Sequence, residues 1–224
     1  MSSNDPKPDD SSSTPTPPSQ PLPDATTFDT TTTTATTSPS HHDCPFCHIS
    51  QTYPPYPPSS PPPLPQLSPT LTHPSPSTFL ILSTPLLIAF LDIMPLSPGH
   101  LLLCPRAHRP KLTDVTPDES AELGRYLRVL SQAVSRATGI KDWNVVQNNG
   151  AAAAQVVPHC HFHVIPRPEL RDKRNERFTN TMFGRGQRDE LDDEEGERLA
   201  GELREMVRVV VGEDEERERG AAKL

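Results

Sequence analysis

The chain has 224 residues, of which 33% are hydrophobic, 5% are aromatic and 29 are prolines, and its formal net charge is -8 at pH 7. This average is low for a packed protein, so the apolar residues must be concentrated in one part of the chain. The acidic balance gives no general electrostatic footprint for nucleic acid, and no apolar run reaches the roughly 18–20 residues of a membrane span. We therefore expect neither a nucleic-acid partner nor a membrane partner.

The two ends of the chain and one internal stretch have compositions that set them apart. Residues 1–42 are mostly Ser, Thr, Pro and Asp, cannot bury enough apolar surface to offset their chain entropy, and are predicted to be disordered. Residues 53–76 are proline-rich and predict an extended surface insertion, either inert or a ligand for a proline-recognising module. Residues 169–190 form a charged loop, residues 191–212 an amphipathic helix and residues 213–224 a charged tail.

Short apolar runs separated by turn signals occupy the middle of the chain. They predict about five strands, at residues 79–83, 86–92, 100–104, 143–147 and 158–166. Between the third and fourth run, Thr116 is followed by Pro117 and then by Glu119, which is typical of a helix start with a capping box, and Gly139 ends that helix. These elements predict the α+β class: an antiparallel sheet with one long helix and a C-terminal helix.

The most informative stretch is residues 159–163, which read His-Cys-His-Phe-His. Because successive strand side chains point to opposite faces, a strand here places all three histidines on one face. Such a row is compatible with a chance polar face, with a metal site, or with nucleophilic and acid–base catalysis. Strict alternation directly after a proline argues against chance, and we favour catalysis.

Amide side chains and small residues lie just upstream of the histidines. Asn148 and Gln155 carry amides, and residues 150–154 are small enough to let a phosphate approach the backbone. A neutral imidazole is a good nucleophile toward phosphorus, and neighbouring histidines can fix its tautomer and protonate a leaving group. The alternative interpretation is an ordinary hairpin loop.

The four cysteines include one closely spaced pair, Cys44-x-x-Cys47. The first residues, MSSNDPKPDD, lack a secretion signal, so we expect a cytoplasmic or nuclear protein with reduced thiols. Reduced thiols leave the pair free for a metal, although a C-x-x-C alone can also be redox-active or accidental.

Several segments, taken in order, resemble the histidine triad (HIT) family of nucleotide hydrolases and transferases. These segments are Asp92-Ile93, Pro98-Gly99-His100, Cys104-Pro105-Arg106-Ala107-His108, Asn148-Asn149-Gly150 and residues 155–165, QVVPHCHFHVI. The resemblance covers residues 43–168 once the proline-rich insertion is set aside. It implies a HIT-like fold and an enzyme that cleaves a bond at the α-phosphate of a purine nucleotide.

The resemblance also implies roles for the three histidines. His161 would attack phosphorus and form a covalent nucleotidyl-histidine that water then cleaves. His163 would contact the phosphate and assist the leaving group, and His159 would orient the site.

Further positions match the family's nucleotide contacts. Asn148, Gln155 and backbone N–H groups near Val157 would hold phosphate oxygens, and Asp92 would accept hydrogen bonds from the ribose. The apolar positions that sandwich the base are matched by Phe46, Ile49 and Ile93, each of which is equally well explained by core packing. One departure is Val156, which stands where relatives often carry Ser or Thr; the proline-rich insertion is another.

Metal-binding branches of the family pair a C-x-x-C with two histidines. The matching set here is Cys44, Cys47, His108 and His159. Four such ligands make a closed tetrahedral site, so the zinc they imply would be structural.

The resemblance leaves the branch open. Asp92, Asn148 and the C-x-x-C favour an adenosine phosphoramidase, whereas Leu103-Cys104-Pro105 and Pro166-Arg167 resemble dinucleoside polyphosphate hydrolases of the fragile-histidine-triad type. A third possibility is a zinc-stabilised nucleotide-binding module without turnover. The family also implies a homodimer that forms through the long helix and a sheet edge.

Overall fold

The computed structural model describes residues 43–63, 66–67, 78–168 and 190–222. The disorder expected for residues 1–42 lies outside these ranges, as do residues 64–65 and 68–76 of the proline-rich insertion and residues 169–189 of the predicted charged loop. Among the described residues, no helix combines the length and apolarity that a membrane crossing requires.

Five antiparallel strands form one sheet in the order β1-β2-β3-β5-β4. They are β1 (Leu80–Ser83), β2 (Leu87–Leu91), β3 (Leu101–Pro105), β4 (Asp142–Gln147) and β5 (Phe162–Arg167). In the described part of the chain, three α-helices accompany the sheet: α1 (Pro45–Thr52), α2 (Pro117–Thr138) and α3 (Asp193–Ala221). The predicted α+β class is confirmed.

The first three strands are buried on both faces, which explains their nearly continuous apolar sequences. The large core lies on the face covered by α2 and α3, and alternate strand residues such as Leu101 and Leu103 point into it. The small core lies on the opposite face under α1 and contains Leu102 and Cys104. The sheet therefore separates a large packing core from the face that carries the cysteine pair.

Helix α2 forms as its sequence predicts. The Thr116 side chain accepts a hydrogen bond from the Glu119 N–H at 3.3 Å, and the Glu119 carboxylate accepts one from the Thr116 N–H at 2.8 Å. Gly139 closes the helix at a φ of 71°, a left-handed conformation that glycine adopts without a Cβ penalty. Local capping alone fixes both ends.

Helix α3 is longer than predicted, because it continues to Ala221 through the segment interpreted as a charged tail. Glu, Arg and Ala have high helix propensity, and their charges are paired. Arg136 of α2 forms a bidentate ion pair with Glu213 at 2.9 Å, and Arg128 pairs with Asp214. Ion pairs with the neighbouring helix therefore extend α3 beyond its apolar stripe.

Strand β5 begins at Phe162, so the prediction of a strand from residue 158 is wrong at its start. Leu103 pairs with Phe162, and continuing this antiparallel register would place Cys160 opposite Pro105. Proline has no N–H to donate, so the ladder cannot extend there. The Cys160 N–H instead donates to the Arg109 carbonyl, and the His159 N–H to the Val157 carbonyl. His159 and His161 therefore lie in the segment that enters the strand.

The contact between Gly196 and Phe79 yields a stability prediction. A Cβ on Gly196 would lie 2.6 Å from the Phe79 ring, which is buried against the sheet and cannot move aside. We expect Gly196→Ala to lower the free energy of unfolding by about 1–3 kcal/mol. Urea denaturation measures the change.

Gly212→Ala on the same helix is the matched control. A Cβ there meets nothing within 4 Å, so the substitution should raise stability by about 0.5–1 kcal/mol through helix propensity alone. Equal effects of the two substitutions would contradict the predicted clash.

Candidate active site and metal cluster

The histidine segment enters the centre of the sheet, because β5 pairs with β3 on one side and β4 on the other. Phe162 and Val164 pack on the large core, as the alternation predicts. The rings of His161 and His163 lie together on the opposite face, with centroids 4.9 Å apart. These two imidazoles are thus neighbours on the face that α1 covers.

His161 is held through a single ring nitrogen. Its Nδ1 lies 2.6 Å from the His159 carbonyl oxygen, so Nδ1 carries the proton and donates it. The side chain is 6% exposed, and within the described residues its Nε2 accepts no hydrogen bond and is not sealed from solvent. Burial lowers the pKa of the His161 imidazole, an effect partly offset by the His159 carbonyl. The ring is therefore a neutral imidazole with a bare Nε2 at neutral pH.

His163 has the opposite tautomer, because of a buried histidine that sequence reasoning gave no role. The Leu96 N–H donates to Nδ1 of His100 at 3.1 Å, so neutral His100 carries its proton on Nε2. That Nε2–H donates to Nδ1 of His163 at 3.0 Å. Neutral His163 then carries its proton on Nε2, so one ring presents a lone pair and its neighbour presents a proton.

Asp92 sits behind this pair of rings. One carboxylate oxygen accepts the Met94 N–H at 2.9 Å, and the other lies 3.5 Å from Nδ1 of His100. The sequence signal for His100 was its position after the Pro98-Gly99 turn, but only its burial against His163 reveals what it does.

A second cluster joins α1 to the histidine segment. The ligand atoms of its four members all lie within 4.8 Å of one another; the members are Cys44, Cys47, His108 and His159. Nδ1 of His159 is 3.3 Å from the Cys44 sulfur and 3.7 Å from the Cys47 sulfur. Nδ1 of His108 is 3.3 Å from the Cys47 sulfur. This is the set that the family resemblance implied, and it is a possible metal-binding group.

The geometry of this cluster fits a tetrahedral metal. With Zn–S near 2.3 Å and Zn–N near 2.0–2.1 Å, a tetrahedral ion separates a sulfur from a nitrogen by about 3.6 Å, and the three sulfur–nitrogen distances bracket this value. Nε2 of His159 donates to the Pro105 carbonyl at 2.9 Å, which turns the bare Nδ1 toward the thiols. Burial and the neighbouring Cys44 raise the pKa of the Cys47 thiol to about 12, so a bound cation would have to displace its proton.

The loop upstream of the histidines holds its predicted residues in two different ways. Both ends of the Gln155 amide are engaged, since Oε1 accepts the Gly150 N–H at 2.6 Å and Nε2 donates to the Pro110 carbonyl at 2.8 Å. In the described part of the chain, the Asn148 side-chain amide and the Val157 N–H make no hydrogen bond. Gln155 therefore braces the loop, while the other two retain donors for a ligand.

The three apolar positions differ in exposure. Phe46 and Ile49 belong to the small core and are 8% and 9% exposed, whereas Ile93 is half-buried. The Phe46 ring meets the His161 ring edge-on, with centroids 5.2 Å apart. The Phe46 ring therefore forms a wall beside the His161 imidazole.

Comparison with known proteins agrees with this fold. The HIT domain family model matches residues 74–170, which contain all five described strands, α2 and the histidine segment. Over these residues the chain is similar to the histidine triad family. Helix α1, with the cysteine pair, lies outside the matched residues.

Two curated relatives match the same part of the chain. Adenylylsulfatase HINT3 of Arabidopsis thaliana is 43% identical over 82 residues, which cover 37% of this chain and 42% of the relative. Adenosine 5'-monophosphoramidase hnt1 of Schizosaccharomyces pombe is 42% identical over 85 residues, covering 38% of this chain and 61% of the relative. The chain thus spans about half the length of the curated relatives that it matches.

One further relative and one solved structure complete the comparison. The asymmetrical bis(5'-nucleosyl)-tetraphosphatase of Schizosaccharomyces pombe is 37% identical over 84 residues, which cover 38% of this chain and 46% of the relative. A Zn-bound histidine triad family protein from Mycobacterium smegmatis superposes with a TM-score of 0.52 and 23% identity, covering 76% of this chain and 97% of that one. That structure supports the fold.

The role of His100 can be measured directly. We expect His100→Phe to keep the buried ring shape but remove the Nε2–H donor, so that His163 samples both tautomers. Long-range 1H–15N correlation spectra separate the Nε2–H tautomer of the wild type from a mixture. His48→Phe, at an exposed histidine of α1, is the control; an unchanged His163 pattern in His100→Phe would refute the assignment.

Proposed function

We propose that this chain is a nucleotide hydrolase that cleaves a phosphoramidate or phosphoanhydride bond at the α-phosphate of a purine nucleotide. One observation carries the proposal: two adjacent imidazoles hold complementary tautomers, one with a bare Nε2 and one with a protonated Nε2. A base and an acid side by side suit a displacement at phosphorus in which the leaving group needs a proton.

The reaction follows from these two rings. Nε2 of His161 attacks the α-phosphorus and the bond from phosphorus to the leaving nitrogen or oxygen breaks. The Nε2–H of His163 donates a hydrogen bond to the leaving atom, which takes its proton from solvent water, so His163 stays neutral. The resulting nucleotidyl-imidazole is cationic, and its Nδ1–H still donates to the His159 carbonyl, which stabilises that charge. Water then adds its oxygen to phosphorus and releases a proton to solvent. This step breaks the P–N bond and releases a nucleoside monophosphate with both rings restored.

The remaining contacts are proposed on the same geometry. The Asn148 amide and the Val157 N–H are the donors left for phosphate oxygens, and Gln155 keeps their loop in place. Asp92 would accept hydrogen bonds from ribose hydroxyls, because an ionised carboxylate is an acceptor with two oxygens. Phe46, Ile49 and Ile93 would contact the base through the edges that remain exposed.

The relatives' names support the substrate class. Two of the three refer to adenosine or adenylyl compounds, and the third to a bis(5'-nucleosyl) tetraphosphate. These names share a nucleoside joined through phosphate to a variable group, and they support either a phosphoramidase or a dinucleoside polyphosphate hydrolase.

The nucleophile provides the decisive test. We expect His161→Ala to reduce turnover at least about 1,000-fold while nucleotide binding survives, because the imidazole supplies the attacking atom. Adenosine phosphoramidate, diadenosine triphosphate and diadenosine tetraphosphate form the substrate panel, and their relative kcat/KM values select the branch. Quenched wild-type protein should carry a nucleotide adduct on His161 in mass spectra.

His48→Ala is the control for loss of a histidine outside the site. The hydrolase proposal would be wrong if wild-type protein bound nucleotide tightly but turned over no member of the panel and formed no adduct. The protein would then be a nucleotide-binding module without turnover.

We propose zinc as the metal of the Cys44, Cys47, His108 and His159 cluster. Two thiolates and two imidazoles at tetrahedral spacing are a donor set that zinc prefers, and four protein ligands leave no position for substrate. The role is therefore structural. The four unpaired cysteines also fit a reducing compartment, and we expect the protein in the cytoplasm or nucleus.

Metal analysis checks this assignment. Full-length protein expressed in zinc-supplemented medium should contain about one zinc per chain, and His108→Ala should weaken zinc binding at least about 10-fold. His48→Ala, which removes the histidine next to Cys47, should leave the content unchanged. Full zinc content in His108→Ala would contradict the ligand set.

We also propose a homodimer that forms through β4. This strand is an edge of the sheet, and its Trp143 and Val145 side chains are 41% and 46% exposed. An unpaired edge with apolar side chains is a template for pairing with a second chain. Pairing of two β4 strands would make one continuous sheet.

Light scattering during size-exclusion chromatography tests whether the β4 edge forms the dimer interface. We expect wild type to run as a dimer and Val145→Lys to shift it toward monomer, because a buried ammonium would oppose pairing. Val156→Lys is the matched control, since this valine is 91% exposed and lies away from the edge. A Val145→Lys protein that remains fully dimeric would place the interface elsewhere.

A further inference from the structure

His159 belongs to two sites at once. Its ring nitrogen Nδ1 faces the thiols of the metal cluster, and its own carbonyl oxygen accepts the Nδ1–H of His161 at 2.6 Å. The ring is also fixed from the other side by the Pro105 carbonyl at 2.9 Å. The anchoring of the His159 ring therefore also restrains the backbone carbonyl that accepts from Nδ1 of His161, since ring and carbonyl belong to one residue.

Helix α1 makes a second connection between the two sites. The helix supplies both thiols and also Phe46, whose ring contacts the rings of His159 and His161 with centroids 5.8 Å and 5.2 Å away. The same short helix thus brings two metal ligands and one wall of the nucleophile's pocket. Increased motion of the first turn of α1 would therefore change both the metal ligands and the wall of the nucleophile's pocket.

The two ends of α1 are held by different means. At the C-terminal end, the Arg106 guanidinium donates to the carbonyls of Ser50 and Tyr53, and the Ser50 hydroxyl bonds the Arg106 carbonyl. At the N-terminal end, Cys44 occupies the N-cap without a side-chain capping bond. The cluster and the Phe46 ring, which packs on Phe90 of β2 with centroids 5.2 Å apart, connect this end to the sheet. An 8-residue helix is not stable by itself, so its first turn depends on these tertiary contacts.

We propose that the metal held by Cys44, Cys47, His108 and His159 sets the tautomer and position of His161, so that metal loading controls the nucleophile as well as the fold. Metal loading fixes the His159 ring and the first turn of α1. These in turn fix the carbonyl that accepts from Nδ1 of His161 and the Phe46 ring beside the His161 ring. His159 acts as the positioning residue. The inference rests on the proposed nucleophilic role of His161.

The test compares metal-loaded full-length protein with Cys44→Ser. Serine is a better N-cap than cysteine, so this variant removes a metal ligand while favouring the helix start. Cys104→Ser is the matched control, because Cys104 is a buried thiol of the same small core that is not a member of the cluster. Chelation of the wild type, followed by re-addition of zinc, repeats the comparison without a substitution.

Three readouts are taken at one fixed alkaline pH. Long-range 1H–15N spectra report the His161 tautomer, hydrogen exchange reports the amides of α1, and rapid quench with adenosine phosphoramidate reports adduct formation. We expect metal-loaded protein and Cys104→Ser to show the Nδ1–H tautomer alone. Cys44→Ser and chelated wild type should show both tautomers, at least 10-fold faster exchange in α1 and at least 10-fold slower adduct formation.

Three outcomes would overturn the proposal. The first is an unchanged His161 tautomer in metal-free protein. The second is loss of exchange protection in α2 and β2 together with α1, because the metal would then hold the whole fold. The third is adduct formation at the same rate with and without metal, which would retain the hydrolase and reject the coupling. A metal-dependent tautomer in a protein that forms no adduct would retain the coupling and reject the hydrolase.

Discussion

The hydrogen bond from Nδ1 of His161 to the carbonyl of His159 is the contact on which the chemistry of this molecule depends. It joins residues that are two apart in sequence, yet its geometry is imposed from outside the segment. The Cys160 N–H between them is bonded to the Arg109 carbonyl, and Phe162 just after them enters the sheet ladder. A local bond thus has a fixed direction because the backbone on both sides of it is held by the rest of the fold.

Three histidines at alternate positions end up in three different environments. His159 is fully buried and turns its unprotonated ring nitrogen toward two thiols. The unprotonated nitrogen of His161 faces solvent, whereas that of His163 accepts a hydrogen bond from His100. Imidazole chemistry depends on which nitrogen holds the proton, and that is set by the partner of each ring. One residue type therefore offers three differently presented ring nitrogens within five positions.

The two-sided burial of the sheet explains how such a site can be rigid. The large core under α2 and α3 fixes β3 and β5 from one face, and the small core under α1 packs the other. Polar groups on the second face are satisfied by specific partners, such as Arg106 for the end of α1 and Gln155 for the loop before the histidines. Buried polar groups of this kind define one arrangement because each alternative leaves a donor or acceptor unpaired.

The sequence by itself determined whatever depends on neighbours along the chain. Apolar runs predicted the five strands, and capping residues predicted both ends of α2. The alternation of residues 159–163 predicted that the rings of His161 and His163 share one face. The tertiary structure decided the rest, because it depends on contacts between distant segments. The start of β5 was fixed by Pro105 in another strand, and the end of α3 by ion pairs with α2.

The candidate site divides in the same way. The histidines and Asn148 could be selected by residue type and spacing, and Asp92 by the family resemblance. The engagement of both ends of Gln155 could not be predicted, since Pro110 lies far away in sequence. The part played by His100 was likewise invisible, because it exists only where β3 brings this ring against His163. A sequence records which groups can hold a proton; folding decides which nitrogen holds it, since that choice is made by partners brought from elsewhere in the chain.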